Sequence, residues 1–174
     1  MGQLHFHAMR INIEPKPDPT TKVNVVFSSE QLAQSGFNLI VSISTASSYL
    51  KSNNQEQPRF ITTMAHFDTG ASATSIDLEL AKHLDLVPTG QITQHTANGP
   101  ARFPTFAIDL SFPNSALSPF VNLQIGSCKL PFNLDACQTA TLNPANFGLL
   151  IGRDVMSKWN IVWNGPTSSV FISD

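Results

Sequence analysis

Residues 97–100 read Ala-Asn-Gly-Pro, a turn signal that separates two stretches rich in strand-favouring residues. Asn and Gly both tolerate the positive φ angles of a two-residue hairpin turn, and Asn-Gly between strands is the strongest short-range hairpin signal. The flanking residues 91–96 and 101–110 are therefore predicted to form two antiparallel strands. A chain organised around such a hairpin is not an all-helical bundle.

The composition also favours strands and turns. Charged residues make up 13% of the 174 residues, about half the usual share, and Ser, Thr, Asn and Gln take their place. The net charge of −2 offers no basic surface for a phosphate backbone, so we expect no nucleic-acid partner. The length fits one domain with a core of its own.

Other short β-rich runs are bounded by Gly, Pro, Asn and Ser, which predicts further strands. These strands are residues 23–27, 37–43, 59–67, 121–125, 130–136, 160–163 and 170–172. A turn at Gly126 and Ser127 is predicted to join two of them, while residues 51–58 and 112–119 are predicted to be loops.

Apolar residues spaced four apart predict one main helix in the middle of the chain. Thr74 is its predicted N-cap, and Asp77 lies in its first turn. The apolar positions are Ile76, Leu80 and Leu84. A shorter helix is predicted at residues 153–159. The expected fold class is mainly β, with one main helix and a short C-terminal helix.

The first residues are expected to lie outside the domain. Pro15, Pro17 and Pro19 alternate along the chain and impose an extended path, so residues 1–22 are interpreted as an arm or linker and residues 23–174 as the domain. No apolar stretch approaches the roughly 20 residues of a membrane span, and the N terminus lacks the continuous apolar run of a secretion signal. We therefore expect a cytoplasmic protein with no membrane partner.

Cysteine and histidine residues form no metal-binding pattern in the sequence. The two cysteines, Cys128 and Cys137, are too few for a disulfide framework, and no Cys/His spacing matches a structural zinc site. We expect no metal and no cofactor. His66 stands apart from the other histidines because residues two apart on a strand face the same side, which places it beside Asp68.

Two segments of the sequence contain the candidate functional residues. Residues 65–72, Ala-His-Phe-Asp-Thr-Gly-Ala-Ser, form an apolar strand that ends in an acid, a hydroxyl and small residues. A carboxylate at such a turn, where Gly permits close approach, is well placed at the floor of a cleft. Residues 147–154, Phe-Gly-Leu-Leu-Ile-Gly-Arg-Asp, repeat the pattern of an apolar run, a Gly and a short helix.

The Asp-Thr-Gly-Ala turn at 68–71, the Asn-Gly hairpin and the Leu-Ile-Gly-Arg-Asp segment at 150–154, in this order, resemble the retropepsin-like aspartic proteases. The resemblance covers residues 37–173. It implies a closed β-barrel domain and an aspartic endopeptidase that cleaves peptide or protein substrates without a cofactor.

The resemblance also implies roles for individual residues. Asp68 matches the catalytic aspartate, Thr69 the threonine whose hydroxyl joins the two halves of the site, and Gly70 a small residue that lets substrate approach. Further residues expected to contact substrate are His66, Ala71, Ser72, Ala97, Asn98, Gly99 and Ile151. The hairpin would form a flap over the site, and its apolar strands suggest apolar substrate side chains.

Arg153 matches an arginine that usually pairs with an acid soon after the catalytic turn. Ser72 and Ala73 fill that place here, so the usual ion pair is absent. Arg153 is therefore expected to contact Asp77, Asp154 or a partner chain.

Aspartic protease chemistry needs two carboxylates close enough to share one proton. The chain contains one Asp-Thr-Gly and no Asp-Ser-Gly. The active unit is therefore expected to be a two-fold homodimer in which each chain supplies Asp68.

Two other interpretations of the sequence stay open. The first is a non-catalytic dimerising or peptide-binding module with the same fold, since a fold does not guarantee a function. The second is a metal-dependent hydrolase that uses His66 and Asp68, for which no third ligand is evident.

Overall fold

The computed structural model describes residues 23–26, 36–52, 59–96, 99–113, 115–137 and 145–174. The strands in these residues are β1 Val23–Val26, β2 Asn38–Thr45, β3 Phe60–Phe67, β4 Ser75–Asp77, β5 Gly90–Thr96, β6 Gly99–Ser111, β7 Phe120–Cys128, β8 Phe147–Ile151, β9 Asn160–Asn164 and β10 Ser169–Ser173. The helices are short: α1 Ser47–Ser52, α2 Leu78–His83, α3 Leu134–Cys137 and α4 Arg153–Met156. The mainly β prediction is confirmed.

Six strands close into a barrel in the order β2-β3-β8-β4-β7-β6, because β6 also pairs with β2. Among the strands that the structure describes, β5 pairs with β6 alone. The pairs β3–β8 and β4–β7 are parallel, and the other pairs of the barrel are antiparallel. The expectation of a closed barrel is therefore also confirmed.

The core lies inside the barrel and follows the two-residue period of the strands. Val41 and Ile43 of β2 and Ile108 and Leu110 of β6 are fully buried, while the residues between them are partly exposed. Burying a side chain of this size stabilises the fold by about 1.5–3 kcal/mol.

The predicted β5–β6 hairpin is present, with pairing that runs from Thr96↔Gly99 to Gly90↔Thr105. Gly99 has a φ of +101°, a conformation that side chains other than Gly rarely adopt. Residues 97 and 98 of the predicted turn lie outside the described residues.

The closing hairpin is also present and forms a second sheet in the order β1-β10-β9. The predicted arm at residues 1–22 lies outside the described part of the chain. In that part, no helix has both the length and the apolar character needed to cross a bilayer.

The main helix begins later than predicted. Its N-cap is Asp77, whose carboxylate accepts hydrogen bonds from the N–H groups of Glu79 and Leu80 at 2.8 and 3.4 Å. Thr74 as N-cap was therefore wrong. Ile76, the first residue of the predicted helical spacing, is a fully buried residue of β4. The pairing of β4 with β7 and β8 overrides the local pattern.

The predicted turn at Gly126 and Ser127 was wrong, because β7 runs straight through both residues and pairs there with Ser75 and Ile76 of β4. A Cβ at Gly126 would lie 2.7 Å from Nε2 of Gln94, so this glycine marks close packing. The predicted strand 130–136 was also wrong, since its end forms α3.

Two further predicted elements differ from the structure in the residues at which they begin or end. The predicted loop 51–58 begins inside α1, and its residues 53–58 lie outside the described residues. The predicted helix 153–159 is present as α4 but ends at Met156. Hydrogen-bonded turns continue the chain to Trp159.

Candidate active site

Asp68 follows the last residue of β3, where β3 lies parallel to β8. The pairing Phe67↔Ile151 brings the carboxyl ends of both strands together, and the Asp68 N–H donates to the Ile151 carbonyl at 3.1 Å. Phe67 anchors this end of β3, since its ring packs on Phe37 and Trp159 with centroids 4.2 and 6.0 Å away. The pairing of β3 with β8 thus places side by side the two segments that hold the candidate site residues, 65–72 and 147–154.

The turn after Asp68 is tight. The Gly70 N–H donates to Oδ1 of Asp68 at 2.7 Å, and the Ala71 N–H donates to the Asp68 carbonyl at 3.1 Å. A Cβ at Gly70 would lie 3.0 Å from the same Oδ1, so Gly permits this approach. The side chain of Asp68 is half-buried, while Thr69 and Gly70 are exposed. The carboxylate is therefore fixed in direction yet open to solvent.

Arg153, in the segment that follows β8, holds the Asp68 turn by hydrogen bonds. Its Nη1 donates to the carbonyl of Thr69 at 2.7 Å and to that of Gly70 at 3.2 Å. Its backbone N–H donates to the Ala71 carbonyl at 3.0 Å. Among the described residues, Arg153 contacts backbone carbonyls and neither Asp77 nor Asp154, and the expected alternative of a partner chain stays a prediction.

A second contact joins Thr74, which follows the Asp68 turn, to Asp154 in α4. The carboxylate of Asp154 accepts hydrogen bonds from the N–H and the hydroxyl of Thr74, at 3.0 and 2.8 Å. The Thr74 hydroxyl in turn accepts from the Gly152 N–H at 3.0 Å. Sequence reasoning missed this contact because it joins residues distant in sequence.

An open cleft of about 420 Å³ lies beside the turn. Its described lining is Gly70, Ala71, Ser72, Ala73, Ser75, Ile92, Thr93, Gln94, Cys128, Leu150 and Arg153. Three predicted site residues, Gly70, Ala71 and Ser72, are therefore brought together on its wall. Ile151 is fully buried in the core, and the structure places its neighbour Leu150 on the cleft.

The lining of the cleft also includes the polar residues Gln94, Thr93 and Ser75. Gln94 of β5 donates from Nε2 to the Ser75 hydroxyl at 3.2 Å. Burial raises the pKa of the Cys128 thiol to about 11, with the Asp77 carboxylate adding to the rise and a hydrogen bond with Ser75 opposing it. Sequence reasoning missed these residues, although Gln94 shares a face of β5 with the cleft residue Ile92, as the period of two indicates.

His66 lies away from the described lining of the cleft. Its Nδ1 is 2.8 Å from Oδ1 of Asn38, and its ring stacks on Phe147 with centroids 4.9 Å apart. Burial lowers the pKa of His66 below its ordinary value, and the Asp68 charge opposes that shift. Within the described residues, no group of three or more His, Cys, Asp or Glu side chains is arranged to hold a metal ion.

Three further predicted site residues are Ala97, Asn98 and Gly99. Gly99 begins β6, whereas Ala97 and Asn98 lie outside the described residues. Thr69 is exposed at the turn.

A family model described as "Aspartyl protease" matches residues 54–155, more than half of the chain and a span that includes both Asp68 and Arg153. No curated protein matches the sequence. A solved structure of a retropepsin-like aspartic protease from Rickettsia conorii is similar at 17% identity and a TM-score of 0.47, over 87% of this chain and 89% of that chain. On the match to the family model, which agrees with the resemblance seen in the sequence, the chain belongs to the aspartyl protease family.

Proposed function

We propose that this protein is an aspartic endopeptidase that acts as a homodimer and hydrolyses peptide bonds with water held between two Asp68 carboxylates. The observation that carries the proposal is the Asp68 turn itself. It holds a half-buried carboxylate beside an open cleft and is fixed by Ile151 on one side and Arg153 on the other.

The reaction needs a base and an acid. One carboxylate accepts a proton from the attacking water, while the other donates a proton to the scissile carbonyl oxygen. With one Asp-Thr-Gly per chain, the second carboxylate comes from a second copy related by a two-fold axis. Thr69, exposed beside Asp68, is positioned in this proposal to join the two turns across that axis.

The substrate lies extended between the Asp68 turn and the β5–β6 hairpin, which acts as the flap. Backbone hydrogen bonds hold the peptide in the manner of an added strand. Ala71, Ser72 and Leu150 form the floor beside the scissile bond, and Gly99 of the hairpin lies on the opposite side of the substrate. His66 is not among the described residues that line the cleft, so in this proposal its effect on Asp68 acts through their coulombic interaction.

The test is digestion of a peptide library by the wild type and by Asp68→Asn, with cleavage sites read by mass spectrometry. Asp68→Asn removes the ionisable pair and little volume, so we expect cleavage to stop while the circular dichroism spectrum is unchanged. The matched control is Asp135→Asn, which removes an exposed carboxylate from α3 and should cleave like the wild type.

Undiminished cleavage by Asp68→Asn would contradict the proposal. Peptide binding by the wild type without any cleavage would instead support a non-catalytic peptide-binding module.

A further inference from the structure

Arg153 is the one residue with a charged side chain among the described residues that line the cleft. The rest of that lining is small, polar or apolar, and the thiol of Cys128 stays neutral because its pKa is raised to about 11. A positive charge on the wall of a cleft favours the binding of a ligand that carries a negatively charged group.

The hydrogen-bonding capacity of Arg153 is only partly used. A guanidinium carries five N–H donors, and those of Nη1 are directed to the carbonyls of Thr69 and Gly70. The donors on Nε and Nη2 have no acceptor among the described residues. These two nitrogens form the side of the fork that binds a carboxylate with two parallel hydrogen bonds.

Asp154, the acid that follows Arg153 in the chain, has other partners. The carboxylate of Asp154 accepts from Thr74 and from the Val155 N–H. In the described part of the chain, the ion pairs join Arg59 to Asp85 and Lys82 to Glu79. Arg153 is therefore an anchored cation in the cleft without a carboxylate of its own among these residues.

We propose that Arg153 binds the carboxylate of an acidic substrate side chain, so that the cleft selects peptides with Glu or Asp at one position near the scissile bond. This inference rests on the proposed protease function. It departs from the apolar preference that the hairpin strands suggested, because the cleft wall carries Arg153, Gln94 and Ser75.

The size of the preference follows from the exposure of Arg153. An exposed ion pair contributes up to about 1 kcal/mol, which corresponds to about a fivefold preference. The preference should weaken as salt is added, since screening acts on exposed charges. It should also fall as the substrate carboxyl is protonated below about pH 4.3.

The experiment compares peptide pairs that differ by Glu or Gln at each position from four residues before to four residues after the cleaved bond. At about pH 6 and low salt, we expect one position where Glu raises kcat/KM about fivefold over Gln. Arg153→Gln should bring this ratio to about one, and Arg153→Lys should give an intermediate ratio because it keeps the charge and loses the fork. Both peptides of a pair are measured with the same variant. Their ratio is therefore unaffected by a general loss of activity from a disturbed Asp68 turn.

The matched control is Lys158→Gln, which removes one positive charge from an exposed position outside the described lining of the cleft. It should keep the wild-type ratio. A ratio of one at every position in the wild type would overturn the inference, and so would a preference that survives in Arg153→Gln.

A binding measurement separates this inference from the protease proposal. Fluorescence anisotropy of the same labelled peptides with Asp68→Asn protein requires no cleavage. Tighter binding of the Glu peptide, lost in the double variant with Arg153→Gln, supports the inference even if the wild type cleaves nothing. Equal binding of the Glu and Gln peptides overturns it even if cleavage is confirmed.

Discussion

The hydroxyl of Thr74 donates a 2.8 Å hydrogen bond to Oδ1 of Asp154, a residue 80 positions later in the chain. Thr74 is fully buried, and its N–H lies 3.0 Å from each oxygen of the same carboxylate. The contact joins the segment that leaves the Asp68 turn to the segment that leaves β8. The geometry of the candidate site therefore depends on a pair of residues that do not line the cleft.

Replacing Asp154 should destabilise the fold. Asp154→Ala removes a charged acceptor from the buried N–H and hydroxyl of Thr74, so we expect a loss of about 1–2 kcal/mol in the free energy of unfolding. Urea denaturation measures this loss. The control Asp135→Ala removes an exposed carboxylate and should change stability by less than about 0.5 kcal/mol. Equal losses in the two variants would show that the Thr74 contact contributes nothing specific.

Adding one methyl group at Gly152 should disturb the site. A Cβ there would lie 2.5 and 2.7 Å from the carbonyl carbon and oxygen of Ala73, and both are backbone atoms that cannot rotate away. We expect Gly152→Ala to cost about 1–3 kcal/mol and to lower kcat/KM because the segment after the Asp68 turn must move. The control is Gly165→Ala, whose Cβ would meet nothing within 4 Å. Wild-type stability and activity in Gly152→Ala would contradict the packing argument.

His66 should make the folded state sensitive to acid. Burial lowers its pKa in the folded protein below the value near 6.5 of the unfolded chain, so the unfolded chain binds the proton more readily. Its contribution to stability is therefore present above about pH 6.5 and is lost as the pH falls toward the folded pKa. Between about pH 7.5 and pH 5, the wild type should lose more stability than His66→Gln. Parallel pH curves for the two proteins would contradict this assignment.

Dilution tests the proposed homodimer. A monomer carries half of the proposed site, so specific activity should fall as the protein is diluted below the dissociation constant of the dimer. Adding Asp68→Asn chains to the wild type should reduce activity further, because mixed dimers carry one competent carboxylate. Constant specific activity of a species that sedimentation identifies as monomeric would exclude the homodimer.

The features that the sequence predicted correctly are local or repeated along single strands. Asn98-Gly99 marks the β5–β6 hairpin because the turn itself needs residues that tolerate positive φ. The alternation around Val41 and Ile43 likewise identifies β2 without reference to any other strand.

The errors came from contacts between distant segments. Ile76 fits a helical spacing with Leu80, yet β7 and β8 recruit it into a strand, and Thr74 binds Asp154 where it was expected to cap a helix. Gly126 resembles a turn residue but lies inside β7, where its missing side chain makes room for Gln94. Local propensity carries no information about such partners.

Within the candidate site, the contacts of Arg153 also could not be predicted from the sequence. The sequence indicated that its usual acidic partner is missing, but the carbonyls of Thr69 and Gly70 that take two of its hydrogen bonds have no signature of their own. Any residue can supply a backbone carbonyl, so only the folded chain identifies these acceptors.

The parallel pairing of β3 with β8 also determines when the site is assembled during protein synthesis. Chains emerge from the ribosome N-terminus first, so the Asp-Thr-Gly turn is made long before the residues that hold it in place. Contacts between distant segments form slowly because the loop between them must first be closed. Until residue 154 has been made and β8 has docked, the Asp68 turn lacks its hydrogen bonds with Ile151 and Arg153, so a nascent or truncated chain carries the motif without the contacts that hold it in place.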